Sequence, residues 1–353
     1  MDVVTRRGLA AGALVAALLL GGAVAHGNGR VPTTAIVAPD ASRVAAQEGG
    51  PIHVWDRESG RKLAELPSET FFRGSMAKGA LAAVGEGGVL LHRGARFEAR
   101  RLLALPGVLN VVRTALSGDG ERVAALYTAG GSVEDARTAR VWDGGTGAVL
   151  ATVTLRRGRG QGVALSEDGA FLALFGDLPR GGGALLEVYA LRGRRAALHF
   201  RWESRADETT FSAAFSPRGD RLALGAGRRL LLWDVQRRKL VAEAPVEALK
   251  GLFPAALRRL PLPFPGAHQL VFSRDGRSLA TLHAMGVVGV GEWALPALTP
   301  RRWIKRPVTA APLRQLGWEP GGRLWVVAAG YSPRVELLAA EGDAFVSRRV
   351  LVP

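Results

Sequence analysis

Beyond residue 30 the chain alternates between short apolar runs and tight polar turns, and one turn type recurs in phase along its length. Four copies are clean: Ser117-Gly118-Asp119-Gly120, Ser166-Glu167-Asp168-Gly169, Ser216-Pro217-Arg218-Gly219 and Ser273-Arg274-Asp275-Gly276. Three worn copies keep the phase, at Pro39-Asp40-Ala41, Ala77-Lys78-Gly79 and Pro320-Gly321-Gly322. An apolar run flanks each turn on both sides, and a third run then ends in an aromatic and an acid. Examples are Ile52-His53-Val54-Trp55-Asp56, Ala139-Arg140-Val141-Trp142-Asp143 and Leu231-Leu232-Trp233-Asp234. Apolar runs this short, bounded by Gly-rich punctuation, predict strands and not helices. A second turn follows the acid, as in Arg57-Glu58-Ser59-Gly60 and Gly144-Gly145-Thr146-Gly147, and a fourth run closes the unit.

Each unit therefore reads as a four-stranded antiparallel meander. Units of about 40 to 50 residues made of turns and short strands cannot bury a core alone and must stack, which predicts an all-β, seven-bladed β-propeller. The expected blades are 33–67, 70–106, 107–155, 159–203, 205–247, 250–304 and 308–352, so residues 33–353 form one domain. A large flat side chain recurs where neighbouring sheets would leave a wedge: Trp55, Trp142, Tyr189, Trp233 and Trp293. His92 takes that place in the second blade and Leu337 in the last. The first unit begins with its inner strand and the last ends with an outer one, so the ring is expected to close without strand exchange, as a monomer.

The recurring turn and the Trp-Asp ending resemble the WD-repeat β-propeller family over about residues 33–352, in an extracytoplasmic bacterial form. That resemblance implies a rigid platform for partner binding. No Gly-His dipeptide opens the repeats, so the family's Asp-His-Ser-Trp hydrogen-bond network is not implied. Asp143-Gly144-Gly145-Thr146-Gly147 is also similar to quinoprotein propeller repeats, but Ala151 stands where those carry Trp.

The first residues look like an address. Arg6-Arg7 precede an uncharged stretch from Gly8 to Ala25 that ends in Ala23-Val24-Ala25. Positive flank, apolar segment and small-x-small exit are the parts of a secretory signal peptide, here residues 1–25, with 26–32 as a short linker. The stretch is short for a membrane span, so no stable span is expected after cleavage. Thr5-Arg6-Arg7-Gly8-Leu9 also resembles a twin-arginine signal. Either route places the protein in the periplasm or outside the cell.

Composition changes this picture in two respects. The formal charge of +16 points to anionic partners, yet only five of the 47 basic residues are Lys, and the rest are scattered arginines. That pattern reads as residue bias more than as a nucleic-acid surface, and it leaves attraction to anionic envelope polymers open. There are no cysteines, which excludes disulfides, thiolate zinc sites and covalent haem attachment.

Chemistry-bearing motifs are sparse. The repeated serines sit in turns, where a hydroxyl caps nearby backbone groups. The six histidines lack metal-ligand spacing, and calcium loops are missing, so no metal, cofactor or catalytic residue is assigned. Antiparallel meanders put the short turns on one face and the longer loops on the other. The long excursions are Thr128 to Arg137, Gly176 to Ala184, Pro245 to His268 and Ala329 to Arg334. Loops on a rigid scaffold carry function. The expectation is a non-catalytic exported scaffold that holds a protein or cell-envelope partner through Arg137, Arg180, Phe253, Arg258 and Arg259. The competing readings are an enzyme acting on a small molecule or polysaccharide in the central channel, and an electrostatic binder of anionic polymers.

Overall fold

The computed structural model describes residues 34–68, 74–77, 79–108, 110–128, 136–204, 208–252, 266–283, 289–305, 313–330 and 334–352. The expected signal peptide and linker lie outside them. The chain is all-β. Its first meander comprises β1 (Thr34–Val37), β2 (Arg43–Gln47), β3 (Ile52–Asp56) and β4 (Lys62–Leu66). The second holds β5 (Gly74–Ala77), β6 (Ala80–Gly85), β7 (Gly88–Arg93) and β8 (Ala99–Ala104). The third has β9 (Asn110–Leu116), β10 (Arg122–Thr128), β11 (Thr138–Asp143) and β12 (Val149–Thr154). The fourth has β13 (Arg159–Leu165), β14 (Phe171–Asp177), β15 (Ala184–Arg192) and β16 (Arg195–Glu203). The fifth has β17 (Thr210–Phe215), β18 (Arg221–Ala226), β19 (Arg229–Asp234) and β20 (Lys239–Pro245). The sixth comprises β21 (Ala267–Phe272), β22 (Ser278–His283), β23 (Gly289–Ala294) and β24 (Thr299–Lys305). The last comprises β25 (Leu313–Trp318), β26 (Leu324–Ala329), β27 (Val335–Glu341) and β28 (Ala344–Leu351).

The first five meanders are separate four-stranded antiparallel sheets. The last two differ from the expected separation: they share one eight-stranded sheet through a single parallel pair, Lys305 with Ala344. The Lys305 amide donates to the Asp343 carbonyl at 3.1 Å, at the turn between β27 and β28, and this draws the two outer strands together. The first strands adjoin one another in chain order, and β25 adjoins β1.

The recurring turn is held by its own side chains. Ser117 Oγ donates to Asp119 at 2.5 Å and accepts the Arg122 amide at 2.9 Å, so strand β10 leaves at a set angle. Ser166 with Asp168, Ser216 with Asp220 and Ser273 with Asp275 repeat the arrangement. The acid after the aromatic caps the second turn: Asp143 accepts the Thr146 amide and hydroxyl at 2.7 and 2.8 Å, and Asp56 does the same for Ser59.

All five expected aromatics are buried, as are His92 and Leu337. Burying such a ring contributes about 2 to 3 kcal/mol by area. The last meander has no aromatic at the expected place. Leu337 instead shares a cluster with Trp55 and with Trp325, which reaches in from β26. The Trp325 ring is fixed at its rim by donation to Glu319 at 2.9 Å and carries the Arg57 guanidinium 4.3 Å over its face.

A second device sits on the first strands. Five of them carry a register shift, which leaves Val112, Gln161, Phe211, His268 or Arg314 as the extra residue. A bulge re-aims the side chain beside it. In the last three meanders the residue after the bulge bonds to the next first strand: Ser212 to the Ala267 carbonyl, Gln269 to the Leu316 amide and Gln315 to the Val37 amide. The first and last meanders keep their own four strands, so they meet without exchanging one. The Trp318 amide donates to Pro39 O at 2.8 Å, and Arg349 donates to the Ser59 and Glu58 carbonyls, which completes the junction.

Candidate functional site

Parity of antiparallel strands sends the second-to-third loops and the inter-sheet connections out of the same end of each sheet. At that end, between the third, fourth and fifth meanders, lies a cleft of about 550 Å³. Arg137 comes from the loop before β11, Arg159 from the start of β13, Asp177 from the end of β14, Arg180 from the turn between β14 and β15, and Glu208 from the connection before β17.

Local geometry explains how these groups are held. Leu178 donates to Gly183 O at 2.7 Å, closing a short loop whose tip is the 3-10 turn Pro179–Gly181. Arg180 has a left-handed backbone (φ 58°) that lifts its side chain to the surface. Gly158, with φ of 79°, lets the chain pass Asp177, because a Cβ there would stand 2.3 Å from the Asp177 carbonyl oxygen.

The two carboxylates are anchored. Asp177 is buried and accepts from the Thr210 amide at 2.9 Å and from the Gln161 amide group at 2.8 Å, with Arg159 at 3.5 Å. It thereby pins the fourth sheet to the first strand of the fifth. Glu208 accepts two bonds from Arg229. Burial raises its carboxyl, but the bonds from Arg229 and Ser204 outweigh that and hold it below its ordinary value. Arg137 and Arg180 are exposed and have no acidic partner among the described residues.

Of the five residues expected to contact a partner, Arg137 and Arg180 thus line one cleft, although 43 positions separate them. Phe253, Arg258 and Arg259 lie outside the described residues. The start of that same insertion is structural: Val246 and Leu249 are buried against Leu232 of the fifth meander and Trp303 of the sixth. Arg159, Asp177 and Glu208 were not expected. Asp177 had one signal, an acid closing the otherwise apolar run Phe171 to Phe175.

The first strands carry polar side chains that bond to their neighbours. Thr114 meets Ser75 at 3.1 Å, Ser212, Gln269 and Gln315 bond to the neighbouring sheet, and Gln161 bonds to Asp177 within its own sheet. In the sixth meander Trp293 Nε1–H donates to Thr281 Oγ1 at 2.9 Å, and Thr281 Oγ1 lies 2.6 Å from His283 Nε2. A Trp–Thr–His chain therefore forms without any Gly-His dipeptide. Among the described residues no group of three His, Asp or Glu side chains could hold a metal ion, and no helix is long and apolar enough to cross a membrane. No protein-family model matches the chain, and no curated protein matches it.

Proposed function

We propose that this chain is an exported seven-bladed β-propeller of the WD-repeat-like kind, acting as a non-catalytic scaffold that holds a protein partner of the cell envelope at its loop end. The observation that carries this reading is the placement of Arg137 and Arg180, from loops of two different meanders, around one cleft with anchored walls. The succession of first strands from β1 to β25 and back supports the ring. A ring of stacked sheets is stiff, so loops at one end keep their spacing and bind without a large ordering cost. The seven-unit ring also explains why the Ser-x-x-Gly turns stay short: they bear on the sheets, and the variable loops are left free at the other end.

Affinity capture with the full chain from envelope fractions tests the proposal. A packed protein interface survives rising salt, whereas adhesion to anionic polymer fades with it. Capture that disappears at high salt, or no capture of any partner, overturns it. Deleting the insertion between β20 and β21 is not a clean alternative, because Val246 and Leu249 belong to the core.

A further inference from the structure

The charge arrangement in the cleft selects among anionic partners. Three guanidiniums, Arg137, Arg159 and Arg180, stand around two carboxylates, Asp177 and Glu208. The carboxylates are already held by Thr210, Gln161 and Arg229, so their charge is fixed in the wall. A polyanion laid across the cleft would set further negative charges against them, and like charges brought together are repelled. A ligand with one negative charge meets no such penalty. Its carboxylate takes the fork of hydrogen bonds that guanidinium offers in a fixed plane.

The remaining chemistry of the walls is that of acceptors. Each carboxylate oxygen has two lone-pair directions: on Asp177 they are taken by the Thr210 amide and hydroxyl and by Gln161 and Arg159, whereas the bonds from Arg229 and Ser204 leave acceptor capacity on Glu208. A ligand that carries N–H donors beside a single carboxylate complements both sets. A volume of about 550 Å³ exceeds what a small inorganic ion needs and lies in the range of organic ligand sites. We infer that the cleft docks an extended peptide segment bearing one carboxylate, with Arg137 and Arg180 on the carboxylate and Glu208 on a peptide N–H group. This rests on reading the loop end as the binding surface and names what that surface takes.

One carboxylate can come from an Asp or Glu side chain or from a chain terminus, and peptide libraries separate the two. The full chain is immobilised and offered three sets of short peptides: one with a central Glu and blocked ends, its Gln counterpart, and one uncharged with a free C-terminal carboxylate. The expected result is retention of the Glu set or of the free-terminus set, with the Gln set at least about tenfold weaker. The pair Arg137→Ala and Arg180→Gly should lower that binding at least about tenfold, since glycine suits the left-handed backbone at position 180. Arg100→Ala, in a separate basic groove beside Arg93 and Arg101, should leave it unchanged. Equal retention of all three sets overturns the inference, as does tighter binding of polyglutamate or polygalacturonate than of any single-carboxylate peptide. If an envelope partner is captured and still binds the Arg137/Arg180 variant, the scaffold reading stands and this inference falls. If neither a partner nor any peptide set is retained, both fall.

Discussion

Gln315 Oε1 accepts the Val37 amide hydrogen at 2.7 Å, joining the last meander to the first across 278 residues of chain. Gln269 makes the same bond to the Leu316 amide, also at 2.7 Å, and both glutamines follow a bulge. Gln315→Leu keeps the volume but removes the acceptor, and an amide left unpaired costs about 1 to 3 kcal/mol. Urea denaturation should show a lowered midpoint for Gln315→Leu and a similar drop for Gln269→Leu. Unchanged midpoints in both would mean that packing alone holds these sheets together.

Glu187 is fully buried and is held by Arg201 and by the Tyr189 hydroxyl at 2.5 Å. Burial, followed by the Glu187 bond, pushes the Tyr189 hydroxyl up, so the phenol stays a donor. Arg201→Ala strands a buried carboxylate and should cost about 3 to 5 kcal/mol. The double variant Glu187→Leu with Arg201→Met should recover most of that loss. A double-mutant cycle by denaturation checks it, and additive effects would refute the coupling.

His283 is buried in the sixth meander, and burial lowers its pKa from the ordinary 6.5 to about 3. The folded ring is therefore neutral over the range in which the unfolded chain takes up a proton. Between these two values the unfolded state binds more protons, so stability is complete above about pH 6.5 and falls as the pH drops towards 3. His283→Gln should flatten that acid slope in denaturation midpoints taken from about pH 7 to about pH 4. His53, His92 and His268, also lowered by burial, contribute to the slope that remains. Identical slopes in the parent and the variant would remove His283 as the cause.

Export is testable without knowing the partner. N-terminal sequencing of the secreted chain should begin at His26. Replacing Arg6 and Arg7 with lysines should retain the protein in the cytoplasm if the twin-arginine route is used. An intact first residue on exported protein would contradict the signal-peptide reading.

Much of the fold was legible because its determinants are local. The Ser-x-x-Gly turns and the Trp-Asp endings encode hydrogen bonds within a few residues of each other, and the fourth meander, expected over 159–203, runs from Arg159 to Glu203. The bulges were not legible, since Phe211, His268 and Arg314 share no residue type and are defined by pairing with another strand. Trp325 was missed for a similar reason: it fills the wedge of the last meander from β26, where the repeat pattern looks only at β27. At the candidate site the sequence marked Arg137 and Arg180 as loop residues. Their convergence with Asp177 and Glu208 depends on three sheets meeting, which no local pattern records.

Because every meander is completed by one unbroken segment, the junction between the last and the first holds no strand in common. A circular permutant that links residue 352 to residue 34 and opens the chain between β8 and β9, for example, would keep every strand in its own sheet. The order of synthesis along the chain is thus separable from the order of sheets in the folded protein, and the point at which the chain starts could be moved without redesigning a single strand pairing.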